Sequence, residues 1–223
     1  MLYWRAAQLI FAYLLFFLPQ SPALEAKAAG VRAAQQNNYS EAARQFGEAC
    51  RLQPTLKDVC YYEGRALYYS NRFKDAIGPL EKSIMIGESA ARAHSTIAEC
   101  FEALGKVTEA EQAHRQAIME EPNPEYWVRF AIFLFRQGRA NEAVEPLSQA
   151  LKIQPDNFEA NREMGRVLFE QDKLESALEF LNKALRARPQ DTQAHVLAAK
   201  VCQRLGKSAE AAEHLKAAQV PEP

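Results

Sequence analysis

A spacing of about 34 residues recurs along this 223-residue chain and limits the folds that the chain can adopt. Prolines mark the spacing most plainly, and they stand at Pro54, Pro122, Pro155, Pro189 and Pro223. The intervals between them are 68, 33, 34 and 34 residues, and the first is twice 34. A fixed period of this length is typical of a chain built from stacked copies of one structural unit.

Small and large side chains recur in step with the prolines. One small series comprises Ala42, Ala76, Ala110, Ala143, Ala177 and Ala211. A second, seven residues later, comprises Ala49, Ser83, Ala117, Ala150, Ala184 and Ala218. The series between them is Phe46, Leu80, His114, Leu147, Leu181 and Leu215. A further small series is Gly30, Gly64, Ala98, Ala131, Gly165 and Ala199. Each unit is therefore expected to be two amphipathic helices that approach closely at small residues.

This order of small, large, small and proline positions resembles the tetratricopeptide repeat (TPR) family, whose unit has about 34 residues. The resemblance implies an all-α fold, an α-solenoid that winds as a right-handed superhelix of six helix-turn-helix repeats. The predicted repeats span residues 23–56, 57–90, 91–123, 124–157, 158–191 and 192–223. Because one such unit cannot bury its apolar face alone, neighbouring units are expected to stack.

Composition excludes several other classes of protein. Apolar residues make up 48% of the chain and charged residues 25%, which is ordinary for a soluble globular protein and excludes a disordered or multi-span membrane chain. The net charge is −1, so the chain lacks the overall positive field that favours nucleic acid. We therefore expect a protein or peptide partner and no nucleic acid.

The first 23 residues have the order of a secretory signal. Arg5 is followed by ten apolar residues, Leu9 to Leu18, and then by the small residues Ser21 and Ala23 around Pro22. This order predicts a signal peptide over residues 1–23, cleaved after Ala23, and an exported protein that is periplasmic or secreted. Two alternatives remain open. Residues 1–18 could be a retained membrane anchor with the repeats outside the cytoplasm, or a buried helix of a cytosolic protein.

No catalytic, metal-binding or cofactor-binding pattern stands out in the sequence. The four histidines are His94, His114, His195 and His214, and they form no i, i+4 pair. No Gly-rich phosphate loop, nucleophile elbow or CxxC motif occurs. We therefore predict a protein that is not an enzyme and that has no cofactor.

The four cysteines allow one disulfide. Cys50 ends a predicted second helix and Cys60 lies early in the next first helix, so the two face each other across a repeat junction. In an exported protein they could be bridged. The alternative is two small buried apolar residues.

In the TPR family, fixed positions of the first helices line the concave wall of the superhelix and carry the ligand contacts. The resemblance places partner-binding residues at Tyr61, Arg65, Tyr68, Tyr69, Phe135, Arg136, Arg162, Arg166, Phe169, Lys200 and Arg204. Counted at four of the family's positions, seven cations and three anions give the wall a local charge of about +4. Aromatic rings and arginines dominate binding energy at many interfaces. The alternative is that these side chains only solvate an open groove.

The expected partner is a peptide or protein of acidic character. The family's subset that grips chaperone C-termini is not matched, because Val31 and Tyr62 stand where that subset has asparagines. The sequence therefore favours a non-enzymatic, exported adaptor or scaffold. The alternative is a membrane-anchored assembly factor, or an accessory subunit of an envelope, secretion, polysaccharide-export or pilus machine.

Overall fold

A computed structural model describes residues 21–218 of the chain. The described residues form twelve α-helices and no strand. The helices are α1 (Pro22–Gln35), α2 (Tyr39–Leu52), α3 (Val59–Tyr69), α4 (Phe73–Met85), α5 (Ala90–Ala103), α6 (Val107–Glu120), α7 (Pro124–Arg136), α8 (Ala140–Ile153), α9 (Phe158–Glu170), α10 (Leu174–Ala187), α11 (Thr192–Arg204) and α12 (Ser208–Ala218). Consecutive pairs form the six helix-turn-helix repeats, so the predicted all-α fold class is confirmed. The predicted signal segment, and the end of the sixth repeat after Ala218, lie outside the described residues.

The described chain divides into two compact units, one ending at Gly105 and the other beginning at Lys106. Unit 1 contains α1 to α5, and each helix packs against the next along the chain. Unit 2 contains α6 to α12, and its helices also pack in sequence order. First helices additionally pack side by side, α3 with α5 in unit 1 and α7 with α9 in unit 2. Each unit thus presents a row of neighbouring first helices.

A left-handed backbone residue turns the chain between the two helices of every repeat. Six such residues follow the repeat period, at Asn37, Asn71, Gly105, Gly138, Asp172 and Gly206, with φ between 57° and 76°. A side chain with a Cβ atom is disfavoured in this conformation, and Gly, Asn and Asp tolerate it best.

In three repeats, the two helices approach so closely that a Cβ atom on the first helix would collide with the large residue of the second. A Cβ atom on Gly64 would lie 2.5 Å from Cγ of Leu80, and one on Gly165 would lie 2.6 Å from Cγ of Leu181. A Cβ on Gly30 would lie 2.8 Å from the ring of Phe46. In the first, second and fifth repeats, the small and large residues of the series therefore form the same contact.

The junction of the first two repeats contains a disulfide between Cys50 at the end of α2 and Cys60 in α3, with the two Cα atoms 5.1 Å apart. Both residues are buried in an apolar cluster with Ala26, Ala49 and Val59. The bridge therefore closes the connection between α2 and α3.

We expect Gly64→Ala to lower the free energy of unfolding by about 1–2 kcal/mol. Overpacking costs about 1–3 kcal/mol, and the better helix propensity of Ala returns roughly 1 kcal/mol at most. Thermal unfolding followed by circular dichroism measures the difference. Gly47→Ala is the matched control, because the closest atom to its Cβ is Oε1 of Glu63, at 2.9 Å, on a side chain that can rotate away. Equal melting of the two variants would contradict this account of the contact.

Candidate functional site

Unit 1 contains a groove between its first two repeats, with a volume of about 810 Å³. This volume is within the range of ligand-binding pockets, roughly 300–1,000 Å³. Its walls come from α1, the inner side of α2, the connection before α3, and α3. The lining residues are Lys27, Val31, Ala34, Gln35, Tyr39, Phe46, Lys57, Asp58, Tyr62, Arg65, Ala66 and Tyr69. We call this surface the unit 1 groove.

Aromatic rings form the floor and one edge of the unit 1 groove. Phe46 is buried, and its ring centroid lies 5.4 Å from that of Tyr62. At the edge, the rings of Tyr39 and Tyr69 lie 5.0 Å apart, and Tyr69 is 45% exposed. Paired rings with one partner exposed suit the burial of an apolar side chain from another molecule, because the aromatic surface is already ordered.

Cations outnumber carboxylates among the lining side chains. Lys27 donates a hydrogen bond from Nζ to the carbonyl oxygen of Lys57 at 2.8 Å. Arg65 lies over the ring of Tyr69, 5.4 Å from its centroid, and donates from Nη2 to the Tyr69 hydroxyl at 3.2 Å. Among the described residues, neither Lys27 nor Arg65 forms an ion pair. Both cations therefore keep their charge for a ligand.

Asp58 is the acidic residue of the lining, and its carboxylate is already engaged. Its Oδ1 accepts hydrogen bonds from Oγ of Ser89 at 2.5 Å and from Nη2 of Arg92 at 3.1 Å. Burial by itself raises the pKa of Asp58, but the Ser89 hydrogen bond and the charge of Arg92 outweigh it, so the pKa lies below its ordinary value. Because Arg92 balances Asp58, the groove keeps a cationic character.

Two of the four residues predicted in the second repeat line the groove. Arg65 and Tyr69 do so, but Tyr61 and Tyr68 do not. Tyr61 is only 4% exposed and lies beneath the guanidinium group of Arg92, 4.7 Å from ring centroid to Cζ. Tyr68 is half-buried, with its ring centroid 5.6 Å from that of Phe73 on α4. Tyr61 and Tyr68 therefore contact other side chains of unit 1 and do not line the unit 1 groove.

The sequence prediction also missed lining residues. Tyr39 and Phe46 lie on α2, and Lys57 lies in the connection before α3, whereas the family's positions were counted only on first helices. Tyr62 was noted as standing at a family ligand position without being assigned to the site. The large-residue series contained one signal: Phe46 is its only phenylalanine, whereas four of its six members are leucines.

In unit 2, the predicted arginines contact aromatic rings and acidic neighbours. Arg166 lies 4.1 Å from the ring centroid of Phe135, and Arg204 lies 5.2 Å from that of Phe169. Arg204 also forms an ion pair of 2.6 Å with Asp172. These contacts hold the arginine side chains in place, and the ion pair with Asp172 compensates the charge of Arg204.

Glu163 forms ion pairs with two of the arginines predicted in unit 2. It is 6% exposed, pairs with Arg162 at 3.1 Å and also pairs with Arg166. Asp191 lies 3.8 Å from Arg162 as well. The sequence count of charges along the wall therefore leaves out acidic side chains that pair with the arginines of unit 2. Of the other predicted residues there, Arg136 and Lys200 are exposed.

The described residues show no arrangement suited to metal or thiol chemistry. Within residues 21–218, no group of three or more His, Cys, Asp or Glu side chains could hold a metal ion. Cys100 and Cys202 are buried and unbridged, and burial raises the pKa of the Cys100 thiol to about 12. A thiol with so high a pKa is a poor nucleophile near neutral pH. Among the helices that the structure describes, none is long and apolar enough to cross a membrane.

Solved structures with the same architecture are TPR proteins. PilF of Pseudomonas aeruginosa is 15% identical, with a TM-score of 0.72 over 86% of this chain and 88% of that chain. YrrB, described as a TPR protein with an unusual peptide-binding site, is 19% identical, with a TM-score of 0.60 over 79% and 92%. A chain of the APC/C Cut9–Hcn1 hetero-tetramer is 16% identical, with a TM-score of 0.71 over 96% and 42%. At these identities the likeness shows the fold alone.

Comparison of sequences gives the family. No curated protein matches the chain significantly. The family model for the C-terminal domain of cilia and flagella-associated protein 70, a TPR domain, matches residues 28–222. This match spans most of the chain and includes every repeat. The chain therefore belongs to the TPR family described by the C-terminal domain of cilia and flagella-associated protein 70.

Proposed function

We propose that this protein is a non-enzymatic adaptor or scaffold that is exported from the cytoplasm and binds a peptide or protein partner in the unit 1 groove. TPR arrays are protein-interaction modules, and extended helical-repeat surfaces commonly bind partners. The observation that carries the proposal is the unit 1 groove itself, which combines an aromatic floor with cations that have no ion-pair partner among the described residues.

The chemistry of the groove specifies the partner. An apolar side chain would pack on Phe46 and Tyr62, and the exposed Tyr69 would cover its stem. A carboxylate of the partner would take the hydrogen-bond donors of Lys27 and Arg65, which makes a charge-assisted contact. The ligand is therefore a peptide segment that carries an apolar residue close to an acidic residue.

The alternative is a membrane-anchored assembly factor or accessory subunit of an envelope, secretion, polysaccharide-export or pilus machine. The apolar run from Leu9 to Leu18 favours it, because the same residues would serve as a retained anchor. The groove would then act beside the membrane, with the repeats outside the cytoplasm. The Cys50–Cys60 disulfide is compatible with both the exported adaptor and the membrane-anchored alternative, since disulfides persist in oxidising compartments.

We expect the double variant Lys27→Ala, Arg65→Ala to bind acidic, apolar peptides at least tenfold more weakly than the unchanged protein, about 1.4 kcal/mol. The probes are 12-residue peptides selected from a random displayed library and labelled for fluorescence anisotropy. Binding should also weaken as salt rises, because ions screen exposed charges. Tyr69→Ala should weaken binding independently of salt.

The matched control is Lys74→Ala, which removes an exposed cation from α4 outside the groove lining and should leave affinity unchanged. Circular dichroism confirms that the variants stay folded. Selected peptides that bind the double variant as tightly as the unchanged protein would contradict the proposed site. Selected peptides without acidic residues would contradict the proposed role of the cations.

Native protein should begin at Leu24 and be soluble without detergent, with Cys50 and Cys60 bridged. Cleavage after Ala23 would remove the Ser21 cap and the first two residues of α1, and it leaves the buried Ala26 in place. Intact mass and N-terminal sequencing of the fractionated protein measure this. A chain that begins at Met1 and needs detergent would overturn cleavage and favour the anchored alternative.

A further inference from the structure

The last described helix, α12, has fewer buried residues than the other described helices. It packs against α11, and Ala211 is its buried residue. Leu215, the sixth member of the large-residue series, is 38% exposed. Because so little apolar surface secures α12, individual polar contacts have a large influence on whether it stays attached.

Two histidines meet in this interface. Nδ1 of His195 on α11 lies 3.0 Å from Nδ1 of His214 on α12, and Nε2 of His195 lies 2.9 Å from the carbonyl oxygen of Pro189. A carbonyl only accepts hydrogen bonds, so Nε2 of His195 carries the hydrogen. In a neutral imidazole the other nitrogen then has a lone pair. His195 Nδ1 therefore accepts, and His214 Nδ1–H donates, when both rings are neutral.

The contact with the proline carbonyl recurs at the same repeat position in the fifth and second repeats. Nδ2 of Asn161 donates to the Pro155 carbonyl oxygen at 2.9 Å, and Sγ of Cys60 lies 3.8 Å from that of Pro54. These residues occupy the same repeat position as His195. Among these three residues, only His195 also has an imidazole nitrogen that faces the following helix. The titratable link is thus a local addition to a shared structural contact.

We propose that the His195–His214 pair makes the attachment of α12 to α11 depend on pH, with α12 held at neutral pH and released on mild acidification. With one added proton the pair keeps its hydrogen bond, because one Nδ1 can hold the hydrogen while the other ring carries its own on Nε2. With both rings protonated, two Nδ1–H donors face each other at 3.0 Å, so the hydrogen bond is lost and the two positive charges repel each other.

The surrounding charges support this direction. Burial, followed by the charge of His195, lowers the pKa of His214 below its ordinary value, and Glu210 and Glu213 on α12 only partly oppose the shift. Four other charged groups of the neighbouring elements have ion-pair partners: Lys207 pairs with Glu210, Arg204 with Asp172, Asp191 with Arg162, and Arg188 with Glu159. Lys200 on α11 and Lys216 on α12 are further cations of the two helices.

The sign of the effect follows from proton linkage. The attached state lowers the pKa of His214, so the released state binds more protons, and attachment is strongest above the ordinary histidine pKa of about 6.5. As the pH falls below that value, the equilibrium between attached and released α12 shifts by up to about tenfold per pH unit for each extra proton bound.

Cys202 reports the release of α12. It is fully buried on α11, and Glu210 of α12 is close enough to influence the pKa of its thiol. We divide the rate at which 2,2′-dithiodipyridine modifies Cys202 by the rate for an unstructured cysteine peptide at the same pH, which cancels the loss of thiolate in acid. This relative rate should be at least about fivefold higher at pH 5.5 than at pH 7.5, because α12 no longer covers Cys202. Peptide mass spectrometry separates Cys202 from Cys100, which lies in unit 1 and should stay protected at both pH values.

The matched variant is His195→Asn, which removes the imidazole that contacts His214 and keeps the hydrogen bond to the Pro189 carbonyl, as Asn161 does to the Pro155 carbonyl in the fifth repeat. The relative modification rate of its Cys202 should be similar at both pH values. His214→Gln should also lose the acid-dependent acceleration, so failure of one variant to fold leaves the other. An acceleration retained in the folded variants, no acceleration in the unchanged protein, or equal acceleration at Cys100 would each overturn the proposal.

Discussion

The close contact between a small residue on the first helix and a large residue on the second sets the geometry of the repeats. At Gly64 and Leu80, and at Gly165 and Leu181, the helices lie too close for a Cβ atom on the first helix. In the first repeat the large residue is Phe46, which fills the space against Gly30 and also forms the floor of the unit 1 groove. The contact that closes this hairpin therefore also supplies the apolar surface for a partner.

The two units differ in whether the cations at the predicted ligand positions have acidic partners. In unit 1, Arg92 balances the buried Asp58, so Lys27 and Arg65 stay available to a ligand. In unit 2, Glu163 and Asp172 engage the arginines at the family's ligand positions. The carboxylate of Glu163 is buried beside its arginine partners, whereas the Arg204–Asp172 pair is exposed. An arginine at a ligand position is thus not by itself evidence of a binding site, because its acidic neighbours decide whether its charge is available.

The repeat period made the hairpins predictable, because one contact repeated along the chain leaves a strong periodic signal. The groove was less predictable, since the family's positions assume that each first helix begins at the same point. The second repeat departs from this: Asp58 has a φ of 61°, and α3 begins at Val59. Tyr61, near that start, is consequently buried, whereas Arg65 and Tyr69 farther along reach the groove. The histidine pair was not predictable, because it joins residues 19 positions apart across a helix interface.

Site-specific photo-crosslinking in the native cell tests the central claim most directly. A photoreactive amino acid placed at Val31, an exposed residue of the groove lining, should capture one partner, and Lys27→Ala with Arg65→Ala should abolish the capture. The same group placed at Lys74, outside the groove lining, should capture nothing. Capture at Lys74 but not at Val31, or capture at Val31 that survives loss of both cations, would contradict a partner-binding groove in unit 1.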